Sequence, residues 1–147
     1  MKRYRIAVLV AVTAMFGAMA MPAAQATGTE GCTPGFWKTH PQAWPDDYET
    51  TSDFYSVVLD WSEPDEPTLL KALDGGGGTT LAGAIKILAR ASTAAFLNAA
   101  TDDADLWYPL HRDDMRVMIQ NVWGDRDAML ELAAYLDSLN NLGSDNC

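Results

Sequence analysis

Thirteen residues near the start of the chain carry a dense set of reactive side chains: Cys32-Thr33-Pro34-Gly35-Phe36-Trp37-Lys38-Thr39-His40-Pro41-Gln42-Ala43-Trp44. Indole rings stack on sugars and on aromatic ligands, while an ammonium and an imidazole supply hydrogen-bond donors. Phe36, Trp37, Lys38, His40 and Trp44 are therefore the candidate ligand-binding residues. The competing expectation is structural. Tryptophan buries a large area, and Trp37 and Trp44 could close the open end of a helical bundle, with Lys38 and His40 satisfied locally.

A hydrolase would need more than this motif supplies. His40 with a nearby carboxylate can act as a general base, which makes a small extracellular hydrolase the alternative function. The sequence contains no Gly-x-Ser-x-Gly elbow, no His-Glu-x-x-His and no Walker-type loop ending in Lys-Ser/Thr. Carboxylate pairs such as Asp46 and Asp47 occur, but twenty acids in so short a chain produce pairs by chance. No catalytic residue is assigned and no cofactor is expected. The favoured expectation is a non-catalytic module that binds a ligand or stabilises a surface assembly.

A second cluster joins Asp102, Asp103 and Asp105 to His111, Asp113 and Asp114. Calcium takes about six to eight oxygen ligands. The spacing lacks the Asp-x-Asp-x-Asp-Gly loop with its later Glu, so a solvated loop is expected and no metal site. Asp113 and Asp114 suit the first turn of a helix.

The chain opens with Lys2, Arg3 and Arg5, then runs almost wholly apolar from Ile6 to Met21, then reaches Ala24-Gln25-Ala26. That core is shorter than the roughly 20 residues a spanning helix needs. Residues 1–26 thus read as a cleavable secretory signal, and 27–147 as a single acidic domain, secreted or periplasmic. No Cys follows the cleavage site, which argues against a lipoprotein anchor, and no adjacent Arg-Arg pair occurs, which favours the general export route over the twin-arginine one. Cleavage removes three of ten cations and none of twenty acids, leaving a net charge of −13. Such a surface repels nucleic acid and anionic headgroups, so neither is a partner and no membrane insertion is expected after cleavage. The expected partner is an extracellular ligand or surface component of unknown identity.

Only two cysteines exist, Cys32 and Cys147. In an exported chain they read as a disulfide. A metal site on Cys32 and His40 would fall short of the three or four ligands zinc takes.

The elements that must position these groups are helical. Ser52 can cap a short helix carrying Phe54, Val57, Val58 and Trp61, stopped before Pro64. Thr68 precedes Leu69–Leu73, which Gly75–Gly78 would end with left-handed geometry. Thr79 or Thr80 opens the clearest helix, where Leu81, Ala84, Ile85, Leu88, Ala91, Ala95, Phe96 and Ala99 recur at helical spacing. Small residues along its flank, Gly83 and Ala89 among them, permit close packing. Met115, Met118, Ile119 and Val122 form another stripe ending near Gly124. Asp125 caps a last helix faced by Met129, Leu132, Ala133, Leu136 and Leu139. No run alternates like a strand for long. The fold class is all-α: a small bundle of four or five helices with a loop-built, Trp-rich N-terminal segment folded over it.

The motif at 32–44 resembles the opening of a family of small exported microbial domains, whose hallmark is Cys-Thr-Pro-Gly-aromatic-Trp-Lys-x-His. The resemblance continues through Leu69–Leu73 and its glycine run, through Ala94-Ala95-Phe96-Leu97-Asn98-Ala99, and to Leu139-Asn140-Asn141-Leu142-Gly143. It implies export and this architecture, and adds no mechanism, since the family has no established activity. It also implies a cysteine directly after the glycine at 143; here Ser144-Asp145-Asn146 intervene before Cys147.

Overall fold

The computed structural model describes residues 29–101 and 107–147. The leader expected at 1–26 and the acids Asp102, Asp103 and Asp105 lie outside the described residues. The architecture is an all-α bundle. In chain order come α1 (Pro34–Thr39), a 3₁₀ turn (Pro41–Ala43), a π-helix (Tyr55–Leu59), α2 (Leu69–Leu73), α3 (Leu81–Ala100), α4 (Arg112–Val122) and α5 (Arg126–Asn140). Strand-like pairing among the described residues is limited to isolated bridges, Gly31 with Gly143 and Asp53 with Thr68.

The bundle is built around α3. Its N-cap is Thr80, whose hydroxyl accepts from the Gly83 N–H. Every residue from Ala91 to Asn98 is buried, as a helix enclosed on all sides requires. Ser92 and Thr93 stay satisfied there by donating back to the Leu88 and Ala89 carbonyls at 2.6 and 2.8 Å. Against α3 lies α5, with Met129, Leu132, Ala133 and Leu136 buried between them. The α4 helix adds Met115, Ile119 and Val122. Asp125 caps α5 as expected, accepting from the Asp127 and Ala128 N–H groups.

The segment at 52–61 departs from the expected Ser52-capped α-helix. Ser52 instead accepts from the Glu49 N–H, and Asp53 pairs with Thr68. The helix starts at Tyr55, is wound as a π-helix, and takes its cap from a distant side chain. The Glu66 carboxylate accepts from the Tyr55 and Ser56 N–H groups at 2.7 and 3.2 Å. At the other end Asp60 turns left-handed at φ 59°, and Trp61 is exposed rather than packed into the core. Carbonyls that the π winding leaves free are taken up from α4: Arg116 donates to Val57 O and Gln120 to Leu59 O.

The glycine run also corrects an expectation. None of Gly75–Gly78 has positive φ; the helix ends on Asp74, and the run is needed for close approach. A Cβ on Gly75 would stand 2.7 Å from Lys86 O, and one on Gly83 would stand 2.6 Å from Gly78 O. The backbone of the run therefore lies directly on α3. Inside a helix Gly→Ala ordinarily gains about 1 kcal/mol. Here Gly83→Ala is expected to cost about 1–3 kcal/mol, as overpacking against backbone does. Chemical denaturation checks the sign, and a stabilised variant would show that the contact yields freely.

Candidate functional site

The Trp-rich segment is organised by two local devices and one buried side chain. Thr33 caps α1 by accepting from the Phe36 N–H at 3.1 Å, and Pro34 occupies the first turn, where its missing N–H costs nothing. Short helical turns thus replace open loop in part of this segment. They press Trp37 inward, where it is 2 % exposed, and Trp44 beside it at 9 %. The Trp44 indole N–H donates to Trp37 O at 2.9 Å, so the second ring locks the first.

Asn98, on the central helix, receives this segment. Its Oδ1 accepts from the Trp37 indole and from the Cys32 N–H, both at 2.9 Å. Its Nδ2 donates to Cys32 O at 3.0 Å and to Asn140 Oδ1 at 2.9 Å. Asn140 donates in turn to Ala91 O and accepts from the Tyr108 hydroxyl. Both asparagines are fully buried, and Asn98 fills all four of its hydrogen-bonding positions. Burial, with Tyr135 nearby, pushes the Tyr108 hydroxyl far above its ordinary pKa, so it stays a donor at any physiological pH. Two further ties hold the segment down. Gly31 and Gly143 exchange backbone hydrogen bonds at 3.1–3.2 Å, and Cys32 is bonded to Cys147 with Cα atoms 5.6 Å apart. The intervening Ser144–Cys147 closes as a turn, Cys147 N to Ser144 O, next to the bond to Cys32.

The five candidate ligand residues therefore divide. Trp37 and Trp44 are buried with their indole N–H groups used internally. Phe36, Lys38 and His40 lie outside. His40 is exposed and stacks on Phe36, 4.5 Å between centroids, with Nδ1 at 3.0 Å from Phe36 O and from Thr39 Oγ1. Among the described residues, no carboxylate forms a hydrogen bond or ion pair with its ring. Lys38 pairs with Asp74 at 2.5 Å and holds that carboxyl below the usual range. Around the acidic cluster, Asp113 and Asp114 occupy the first turn of α4, Asp113 pairing with Arg116, while His111 precedes it without a side-chain cap.

An open, polar cavity of about 450 Å³ borders the segment at Ala43, Trp44 and Pro45, and an apolar one lies elsewhere. Between the π-helix, α2, the glycine run and α3 lies a half-open, largely apolar groove of about 440 Å³. Phe54, Tyr55 and Ile85 supply apolar walls, and Gly75, Gly76, Ala82 and Ala89 leave the space unfilled. Lys71, Lys86 and Asp74 also line it, and Asp74 is the residue that Lys38 reaches from α1. The motif thus touches the groove only through that ion pair. Sequence reasoning missed this site because its small residues read as packing and its glycines as a connection. The signal was their coincidence, since a glycine run beside an alanine-flanked helix leaves volume wherever the two cross.

Compared with known proteins, the chain matches no family model, no curated protein and no solved structure. Among the described residues, no helix is long and apolar enough to cross a membrane.

Proposed function

We propose that this chain is an exported, non-catalytic binding module whose ligand is a small, mainly apolar molecule held in the groove between α2, the glycine run and α3. One observation carries the reading. The groove's roughly 440 Å³ falls within the range of about 300–1,000 Å³ that small-molecule sites occupy, with apolar walls and few polar groups. The Cys32–Cys147 bond and the leader-like start support export. The motif at 32–44 supports placing the chain with the small exported domains it resembles. In this reading Lys38 steadies the wall through Asp74, and Phe36, Trp37, His40 and Trp44 do not line the groove.

Ala82 lines the groove yet is exposed, so Ala82→Trp should fill the site without disturbing the core. An environment-sensitive apolar dye is expected to bind the wild type saturably. The variant should lose that binding with its melting temperature unchanged. Equal dye binding by both proteins would remove the groove from consideration.

A further inference from the structure

Beside the groove, in a second cavity that shares Tyr55 and Pro67 with it, Tyr55 and Trp61 meet a ring from a distant part of the chain. Trp123, at the end of α4, lies 5.6 Å from Tyr55 and 5.8 Å from Trp61 between centroids. Both neighbours stand nearly perpendicular to it, at 87° and 88°. The rings line an open cavity of about 280 Å³, to which the loop adds Glu63, Pro64 and Asp65. Trp61 is 38 % exposed, a large apolar surface that the fold does not use. Glu63 and Asp65 make no ion pair with any described residue.

We propose that Tyr55, Trp61 and Trp123, with Glu63 and Asp65 at the rim, bind a small solute carrying a trimethylammonium group. Three arguments converge on that chemistry. Aromatic faces are electronegative and attract cations that come within about 6 Å. A quaternary ammonium has no N–H to satisfy and sheds water easily, whereas a primary ammonium is strongly hydrated and would find acceptors only at the rim carboxylates, none on the rings. Hard metal ions require several oxygens, and two rim carboxylates do not supply them.

Electrostatics point the same way. Burial and then the charges of Glu63 and Glu66 raise the pKa of the Tyr55 hydroxyl, so negative potential reaches the ring wall itself. The surplus of acids over the whole chain favours approach of a cation. Glu66 is already engaged with the start of the π-helix, which leaves Glu63 and Asp65 to face a ligand. The loop that carries them has a defined backbone at both ends. Asp60 and Asp65 are both left-handed, at φ 59° and 60°, and Phe54 N–H donates to Pro67 O at 2.9 Å.

Titration calorimetry with choline chloride and with ethanolamine hydrochloride tests the assignment, because the two differ only in methylation. Choline is expected to bind at one saturable site and ethanolamine at least about tenfold more weakly. Trp61→Ala should weaken choline about tenfold. Since Trp61 is exposed, that variant should keep its fold. Glu63→Gln with Asp65→Asn, both on exposed side chains, should weaken binding severalfold and flatten its salt dependence. Ala82→Trp should leave choline binding untouched, so failure of this site and failure of the groove are separately visible. Equal binding of both amines, unaltered binding by Trp61→Ala, or no saturable binding would overturn the proposal. Adsorption to phosphatidylcholine vesicles without affinity for free choline would overturn the small-solute assignment.

Discussion

Trp37→Ala should lower stability by about 3–5 kcal/mol, the usual cost of truncating a buried large aromatic. The expectation rests on more than area. The indole is 2 % exposed, and its N–H fills one of two acceptor positions on Asn98. Truncation opens a cavity beside α3 and frees Trp44, whose own N–H reports to Trp37 O and whose ring then loses its backing. Trp37→Phe separates the terms: it keeps most of the packing and removes the donor, so it should cost about 1–3 kcal/mol. Asn98→Ala strands the Cys32 N–H and C=O along with the indole, and combining it with Trp37→Ala should be markedly less than additive. Denaturant titration of the four proteins measures the cycle. Full additivity, or a Trp37→Ala variant that melts like wild type, would mean that the ring is not held as the structure has it. His40→Ala is a contrasting control, because an exposed ring stacked on Phe36 should cost little.

These contrasts also locate what the sequence made legible. Thr68, Thr80 and Asp125 were readable as caps because the groups they satisfy lie two or three residues away. Ser52 misled for the same reason. It has the right residue type, but the acceptor in use is Glu66, eleven residues beyond Tyr55. The glycine run was visible as an interruption; that it must lie on α3 depends on the Lys86 and Gly78 carbonyls, a tertiary fact. Asn98 left a fainter trace. It falls at core register with Ala91, Ala94 and Ala95, and a polar residue inside an apolar stripe must find partners there. Asn140 repeats the sign at the register of Leu132 and Leu136. Nothing local joins Trp61 to Trp123, whose meeting depends on how α4 docks against the π-helix.

Removing the Cys32–Cys147 bond has the other large expected effect, and it acts on the unfolded chain as much as on the folded one. The bond spans 115 residues. In the chain-entropy model, closing a loop of about 100 residues is worth up to roughly 4.7 kcal/mol, and typical measured values are about 2–4. The double variant Cys32→Ser, Cys147→Ser should therefore fall in that lower range, because the native ties around the bond survive it. The Gly31–Gly143 bridge, the Asn98 contacts to the Cys32 backbone and the Glu30–Trp107 pair do not involve sulfur. Helical circular dichroism at low temperature should accordingly match wild type while the melting temperature drops. The loss should also be uneven. Hydrogen exchange at Cys32 and along α1 should quicken more than in the buried half of α3, since the N-terminal segment is what the bond pins to the end of α5. Uniform acceleration would assign the effect to global stability alone. An unchanged melting temperature would mean that the remaining ties already restrict the chain as fully as the covalent one.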